Sequence, residues 1–106
     1  MNYIYGLIDP RSDEIRYVGK TKKPLAIRLY EHLISKERRY VYRWIGRLKQ
    51  LGMEPKIRLL ESCSKNWQSR EIYWIAKLKG EGNRLTNLTI GGDGFVQDEK
   101  LKGEPL

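Results

Sequence analysis

The chain has one cysteine, one histidine, one phenylalanine and four prolines among 106 residues, and each scarcity excludes something. A single cysteine, Cys63, cannot form a disulfide within the chain, which suits a reducing compartment. Its simplest role is that of a small buried hydrophobe near a strand end. One Cys and one His cannot complete a four-ligand structural zinc site. There is no GxxxxGK[ST] phosphate loop and no GxGxxG fingerprint, and no serine stands in a nucleophile-elbow context. The N-terminal apolar stretch is cut by Asp9 and Pro10, so neither a signal peptide nor a membrane span is expected. Internal repeats and low-complexity segments are also missing.

What is present fits one small folded domain, expected over residues 1–94, with a charged tail over 95–106. Apolar residues make up 40% and three are Trp, enough to close a core rather than leave a disordered chain. Lys and Arg number 21 against 13 Asp and Glu, a net charge of +8. That excess points to a polyanionic partner, nucleic acid first. Charge alone does not separate nucleases from ribosomal or membrane-surface proteins.

The periodicities predict the element order β-β-α-α-β-α. Residues 2–9 and 14–20 read as strands rich in Tyr, Ile and Val, joined by the turn composition Pro10-Arg11-Ser12-Asp13. Tyr3, Tyr5 and Leu7 share one strand face, and Ile15, Tyr17 and Gly19 share another. A hairpin symmetric about Arg11 sets Tyr5 directly across from Tyr17, and a one-residue slip would break that pairing. Pro24 suits the first position of a helix over 24–36. Its apolar arc would hold Leu25, Ala26, Ile27, Leu29, Tyr30, Leu33 and Ile34, with Arg28 and His32 together just beyond the edge. A second helix fits 40–51, with Tyr40, Val41, Trp44, Ile45, Leu48 and Leu51 inward and Arg43 and Arg47 outward; Gly52 ends it. Residues 56–62 read as a third strand behind Pro55.

A third helix over 67–79 has the arc Trp67, Ile72, Trp74, Ile75, Ala76 and Leu78, with Glu71 in its middle. A carboxylate there is costly unless it meets a cation, a metal or strong donors. After it come a loop at 80–83, a short segment over 85–90 and a flexible Gly91-Gly92-Asp93-Gly94.

Taken together, Glu71, Arg28, His32, Lys20 and the strand tyrosines suit phosphodiester cleavage. That reaction needs a divalent cation, an activated water and positive donors around a phosphate gaining charge. Glu71 could hold Mg²⁺ with water completing its shell. Arg28 offers a bidentate fork to phosphate. His32 and a tyrosine hydroxyl could move protons, although a phenol of ordinary pKa about 10 needs nearby positive charge first, which Lys20 could supply. Each residue also has an ordinary structural reading: strand core for the tyrosines, a solvated helix face for Arg28, a satisfied histidine, a structural ion pair for Glu71.

The order of these residues resembles the GIY-YIG nuclease family. Its two short hairpin motifs correspond to Tyr3-Ile4-Tyr5 and Tyr17-Val18-Gly19. The helical Arg with a His four residues on corresponds to Arg28 and His32, the metal-binding Glu to Glu71, and a terminal Asn to Asn87 in Leu85-Thr86-Asn87-Leu88. The likeness runs in order from about residue 3 to 94. Two positions depart from it: Tyr3 stands where the first signature glycine would be, and Val18 replaces an isoleucine. No large DNA-reading domain is recognisable.

The resemblance implies an α+β fold, a three-stranded, mainly antiparallel sheet flanked by helices. Its concave face would be lined by Tyr5, Tyr17, Arg28, His32, Glu71 and Asn87. It further implies a DNA endonuclease using one Mg²⁺, with Mn²⁺ a possible substitute, held by Glu71, and no organic cofactor. Tyr5 or Tyr17 would be the base or water-orienting group. Gly19 would allow close backbone approach, Lys20 and Arg28 would contact phosphate, and His32 would assist proton transfer. Gly19, Lys20, Lys22, Lys23, Arg28, Arg43 and Arg47 are the expected DNA contacts. The partner expected is DNA, the chain a monomer or weak dimer, its place the cytoplasm of a bacterial host, encoded by the host or a phage. The competing expectations are a noncatalytic nucleic-acid-binding module on the same fold and a ribosome-associated basic protein.

Overall fold

The structure, a computed structural model, describes residues 1–87. Its elements are β1 (Asn2–Ile8), β2 (Ile15–Thr21), α1 (Leu25–Ile34), α2 (Tyr40–Gln50), β3 (Lys56–Cys63) and α3 (Trp67–Gly80). They occur in the expected order as an α+β fold. The three strands form one antiparallel sheet, β2-β1-β3, with β1 in the middle. The expected loop at 91–94 and the tail from Phe95 lie outside the described residues.

Alternation along β1 sends successive side chains to opposite faces, and each face is covered. Tyr5 and Leu7 join Val41, Tyr42, Trp44, Ile45 and Leu48 of α2, with Leu25, Leu29 and Leu33 of α1 packed against them. Ile4 and Ile8 join Ile15, Val18, Ile75 and Leu78 on the side of α3. The sheet is therefore the middle layer between α1 with α2 and α3.

The hairpin register differs from a symmetric one about Arg11. Tyr5 pairs with Gly19 and Tyr17 with Leu7, a shift of two residues. An even shift preserves facing, so Tyr5 and Tyr17 still share a side, with ring centroids 6.3 Å apart. The turn between them is longer than four residues: the Asp9 N–H donates to the Glu14 carbonyl (2.8 Å). Within it Asp13 takes a left-handed φ of 61°, which Asp tolerates better than most residues.

A bulge corrects a second expectation. The register breaks between Leu7 and Ile8, so Ile8 pairs with Ile15 and Arg16 is extra. One extra residue in a strand inverts the facing of what lies beyond it. Ile15 consequently lies in the α3-side core while Tyr17 faces α1 and α2; the two do not share a face.

α1 is shorter than its pattern suggests, α2 and α3 end within one residue of theirs, and each exposes residues expected to face inward. Pro24 precedes α1 with an extended ψ of 145° rather than opening it. Ile27, Tyr30 and Ile34 are exposed, whereas His32 is 0% exposed. At about 100° per residue the apolar arc is wider than the sheet covers, and the sheet takes the edge where Arg28 and His32 lie. On α2, Tyr40 and Leu51 are exposed and Tyr42 is buried. On α3, Ile72 is exposed while Glu71, Ile75 and Leu78 are buried. Gly52 does close α2, with φ 74°.

Candidate active site

The site is built around the Tyr5 side chain, which crosses from β1 over Gly19 of β2. A Cβ on Gly19 would lie 2.5 Å from the Tyr5 hydroxyl oxygen and 2.8 Å from Tyr17 Cε2. Only glycine leaves the two phenols room to meet there.

The Tyr5 oxygen accepts a hydrogen bond from Arg28 Nε (3.1 Å) and lies 2.7 Å from His32 Nε2. The Tyr5–His32 bond forms in either imidazole tautomer: the hydroxyl donates to Nε2 when the ring hydrogen is on Nδ1, and Nε2 donates to the oxygen when it is not. His32 Nδ1 has no hydrogen-bond partner among the described residues. The imidazole is enclosed by aromatic rings, Tyr17 at 5.5 Å edge-on and Tyr42 at 5.6 Å between centroids. Arg28 and His32 are four apart on α1 and so project together toward Tyr5.

The electrostatics keep this pair neutral. Burial, aided by the neighbouring Tyr17, pushes the Tyr5 phenol well above its ordinary range, against the opposing pull of Arg28. Burial also lowers His32 to about 4, assisted by the positive charges of Arg28 and Arg39. At neutral pH a neutral phenol therefore shares its hydrogen bond with a neutral imidazole.

Tyr17 differs from Tyr5 in being only partly buried. Burial raises its pKa, Arg39 opposes the rise and the negative charge of Glu71 adds to it. Glu71 is buried on α3 at 8% exposure, on the opposite side of the sheet from the Tyr17 ring, and its charge acts on that phenol through space.

Not every expected residue joins this group. The Lys20 Nζ lies over the Trp67 ring, 4.3 Å from its centroid. Trp67 and Glu71 are four apart on α3, so Lys20 stands about one helical turn from the carboxylate. Lys22 and Lys23 are exposed between β2 and α1, and Lys23 pairs with Glu31, as does Arg28 Nη1 at 3.1 Å. Arg43 and Arg47 are exposed on α2, Arg43 over the Tyr40 ring. The Asn87 amide spends both ends on the backbone of Val18, accepting from its N–H and donating to its carbonyl at 2.9 Å each. Asn87 thus fastens the outer edge of β2, with Asn83 and Thr86 bonded to Ile15 and Arg16 alongside.

Two residues of the cluster, Tyr42 and Arg39, escaped the sequence reading. On the α2 wheel Tyr42 lies about 60° beyond Ile45, a flanking position that could have flagged it. Arg39, just before the helix, carries no such signal.

Among the described residues no three His, Cys, Asp or Glu side chains converge on a metal-sized site. A hard divalent cation would therefore rely on Glu71 for its protein ligand, with water and phosphate oxygens supplying the rest, an arrangement ordinary for Mg²⁺. No helix among the described residues is long and apolar enough to cross a membrane. Comparison with models of known protein families, with curated proteins and with solved structures finds no match for this chain.

Proposed function

We propose that this protein is a Mg²⁺-dependent DNA endonuclease of the GIY-YIG type, hydrolysing phosphodiester bonds along the β2 edge. The observation that carries the reading is the Arg28–Tyr5–His32 network packed over Gly19 against Tyr17, with a carboxylate, Glu71, buried on α3. A structural ion pair would not require two tyrosines, a histidine and a glycine shaped to admit them. Mg²⁺ held by Glu71 would stabilise charge on the phosphate and acidify a water.

The chain's own groups divide the remaining work. Tyr17, the phenol that reaches solvent, accepts a hydrogen bond from the attacking water and orients it. Tyr5 is fully buried with its oxygen already engaged, so it acts behind Tyr17, fixing Arg28 and His32. The neutral His32 is able to take a proton at Nε2 when negative charge gathers nearby. Arg28 and Lys20 offset the negative charge of the bound strand. With +8 net charge, binding rests mainly on phosphate contacts, which predicts weak sequence preference and steep salt dependence.

Supercoiled plasmid incubated with Mg²⁺ tests this directly. The parent should produce nicked or linear DNA, EDTA should stop it, and Glu71→Ala should slow it at least ~100-fold. Equal cleavage by Glu71→Ala and parent would remove the metal role. The competing reading, a binding module without catalysis, is favoured by the charge and by the arginines and lysine stacked on Tyr40, Tyr73 and Trp67. It predicts retarded but intact supercoiled plasmid with or without EDTA.

A further inference from the structure

Arg39 stands at the entrance to the aromatic group that encloses His32. Its guanidinium carbon lies 5.3 Å from the Tyr42 ring centroid and its Nη2 donates to the Tyr42 hydroxyl at 3.4 Å. Tyr42 is buried and packs on His32, which packs on both Tyr5 and Tyr17. One ring therefore separates Arg39 from His32, whereas its other edge faces water. There Arg39 Nε pairs with Glu37 at 2.8 Å, with both side chains about half exposed (51% and 56%). An ion pair this open is screened and readily exchanged.

Arg28 makes the contrast. Its side chain is 25% exposed and pairs with Glu31, and its Nε is committed to Tyr5. Arg28 is largely occupied in holding the interior of the site. Arg39 has a planar fork supported on an aromatic face and a weak carboxylate partner, and it stands at the N-terminal end of α2, the helix that exposes Arg43 and Arg47. A carboxylate on an exposed guanidinium occupies the geometry that a phosphate oxygen takes.

We propose that Arg39 is a phosphate-binding residue of this site, gripping the DNA backbone beside the cleft with Tyr42 as its platform and Glu37 as the partner a phosphate displaces. The proposal rests on the nuclease reading for the location of the cleft, but its direct readout is DNA binding.

Binding of a fluorescein-labelled 20-base-pair duplex, followed by anisotropy in EDTA over a salt series, tests it. Arg39→Ala should weaken binding about fivefold or more at low salt and flatten the slope of log affinity against log salt by about 0.9, one phosphate contact. Glu37→Gln should tighten binding, and only while Arg39 is present. Arg39→Gln, which keeps an amide beside Tyr42 but drops the charge, is read in parallel so that a folding defect in Arg39→Ala does not decide the result. Unchanged affinity and slope in a folded Arg39→Gln protein would overturn the assignment. A parent that binds duplex yet never cuts plasmid in Mg²⁺ refutes the nuclease reading alone, and the salt slopes still decide Arg39.

Discussion

Two buried polar clusters lie at either end of the β1–β2 hairpin, and they are finished differently. At the turn, Asp9 is 3% exposed and its carboxylate accepts from the Arg11 N–H, from Arg11 Nε and Nη2, and from Trp44 Nε1, at 2.8 to 3.2 Å. At the cleft, Tyr5 and His32 are both 0% exposed, share one hydrogen bond, and leave His32 Nδ1 without a partner among the described residues. The first cluster favours a charge: the Arg11 hydrogen bonds hold Asp9 well below the usual carboxylate range despite its burial. The second holds neutral groups that burial discourages from ionising. A fully satisfied network stabilises a turn. An incompletely satisfied one costs stability, as expected of a region where the proposed function outweighs folding.

The sharpest way to break the comparison is Gly19→Ala. A Cβ within 3 Å of both phenols displaces Tyr5 or Tyr17, costing about 3 kcal/mol of stability by overpacking, read as a lowered denaturant midpoint. Cleavage should be lost even where the protein remains folded. The turn cluster gains nothing from this change and should keep its Trp44 fluorescence environment.

Acid separates the two clusters by pH window. His32, lowered to about 4, stays neutral when folded while an unfolded histidine takes a proton near 6.5. The unfolded state then binds more protons, so stability falls as pH drops from about 6.5 to 4, by about 3 kcal/mol in all. Asp9 is depressed in the folded state, so its contribution persists above about 3.9 and is lost only below that, as pH falls toward its folded value. Urea denaturation at a series of pH values should show the first loss and should lack it in His32→Phe. A stability curve flat between pH 6.5 and 4 would contradict the neutral imidazole.

Asp9→Ala strips Trp44 Nε1 of its acceptor and frees Arg11, whose side chain is 40% exposed. The expected cost is about 2 kcal/mol, with plasmid cleavage per folded molecule unchanged. Smallest in stability and most informative in activity is the pair Tyr5→Phe and Tyr17→Phe. Tyr5→Phe leaves the His32 and Arg28 nitrogens without their acceptor or donor, and should cost about 1 to 2 kcal/mol. Tyr17→Phe should cost little stability yet reduce cleavage the more strongly of the two, if Tyr17 is the phenol facing the water. The reverse ranking in activity would make Tyr5 the reactive group.

Much of the fold was legible because the signals that specify elements are local. Alternating Tyr and Ile marked β1 and β2, Gly52 marked the end of α2, and Glu71 stood out as the carboxylate inside an apolar arc. The resemblance to a known family is what grouped Tyr5, Tyr17, Gly19, Arg28, His32 and Glu71 in the sequence. Lys20, expected near the tyrosines, stands over the Trp67 ring instead. Asn87, expected to line the cleft, bonds instead to the Val18 backbone, a choice that no spacing rule encodes.

By itself, then, the sequence determined the element order, the α+β class and the residue types able to meet at one cleft, since these depend on periodicity and composition along short stretches. The tertiary structure decided the hairpin register, the inversion at Arg16, the turning of α1 that buries His32 and exposes Tyr30, and the approach of Arg39 and Tyr42. Those outcomes depend on how volumes fit across distant segments: a phenol from β1 crosses β2 where Gly19 leaves room. The imidazole on α1 is buried there because that phenol supplies the hydrogen bond that offsets its desolvation.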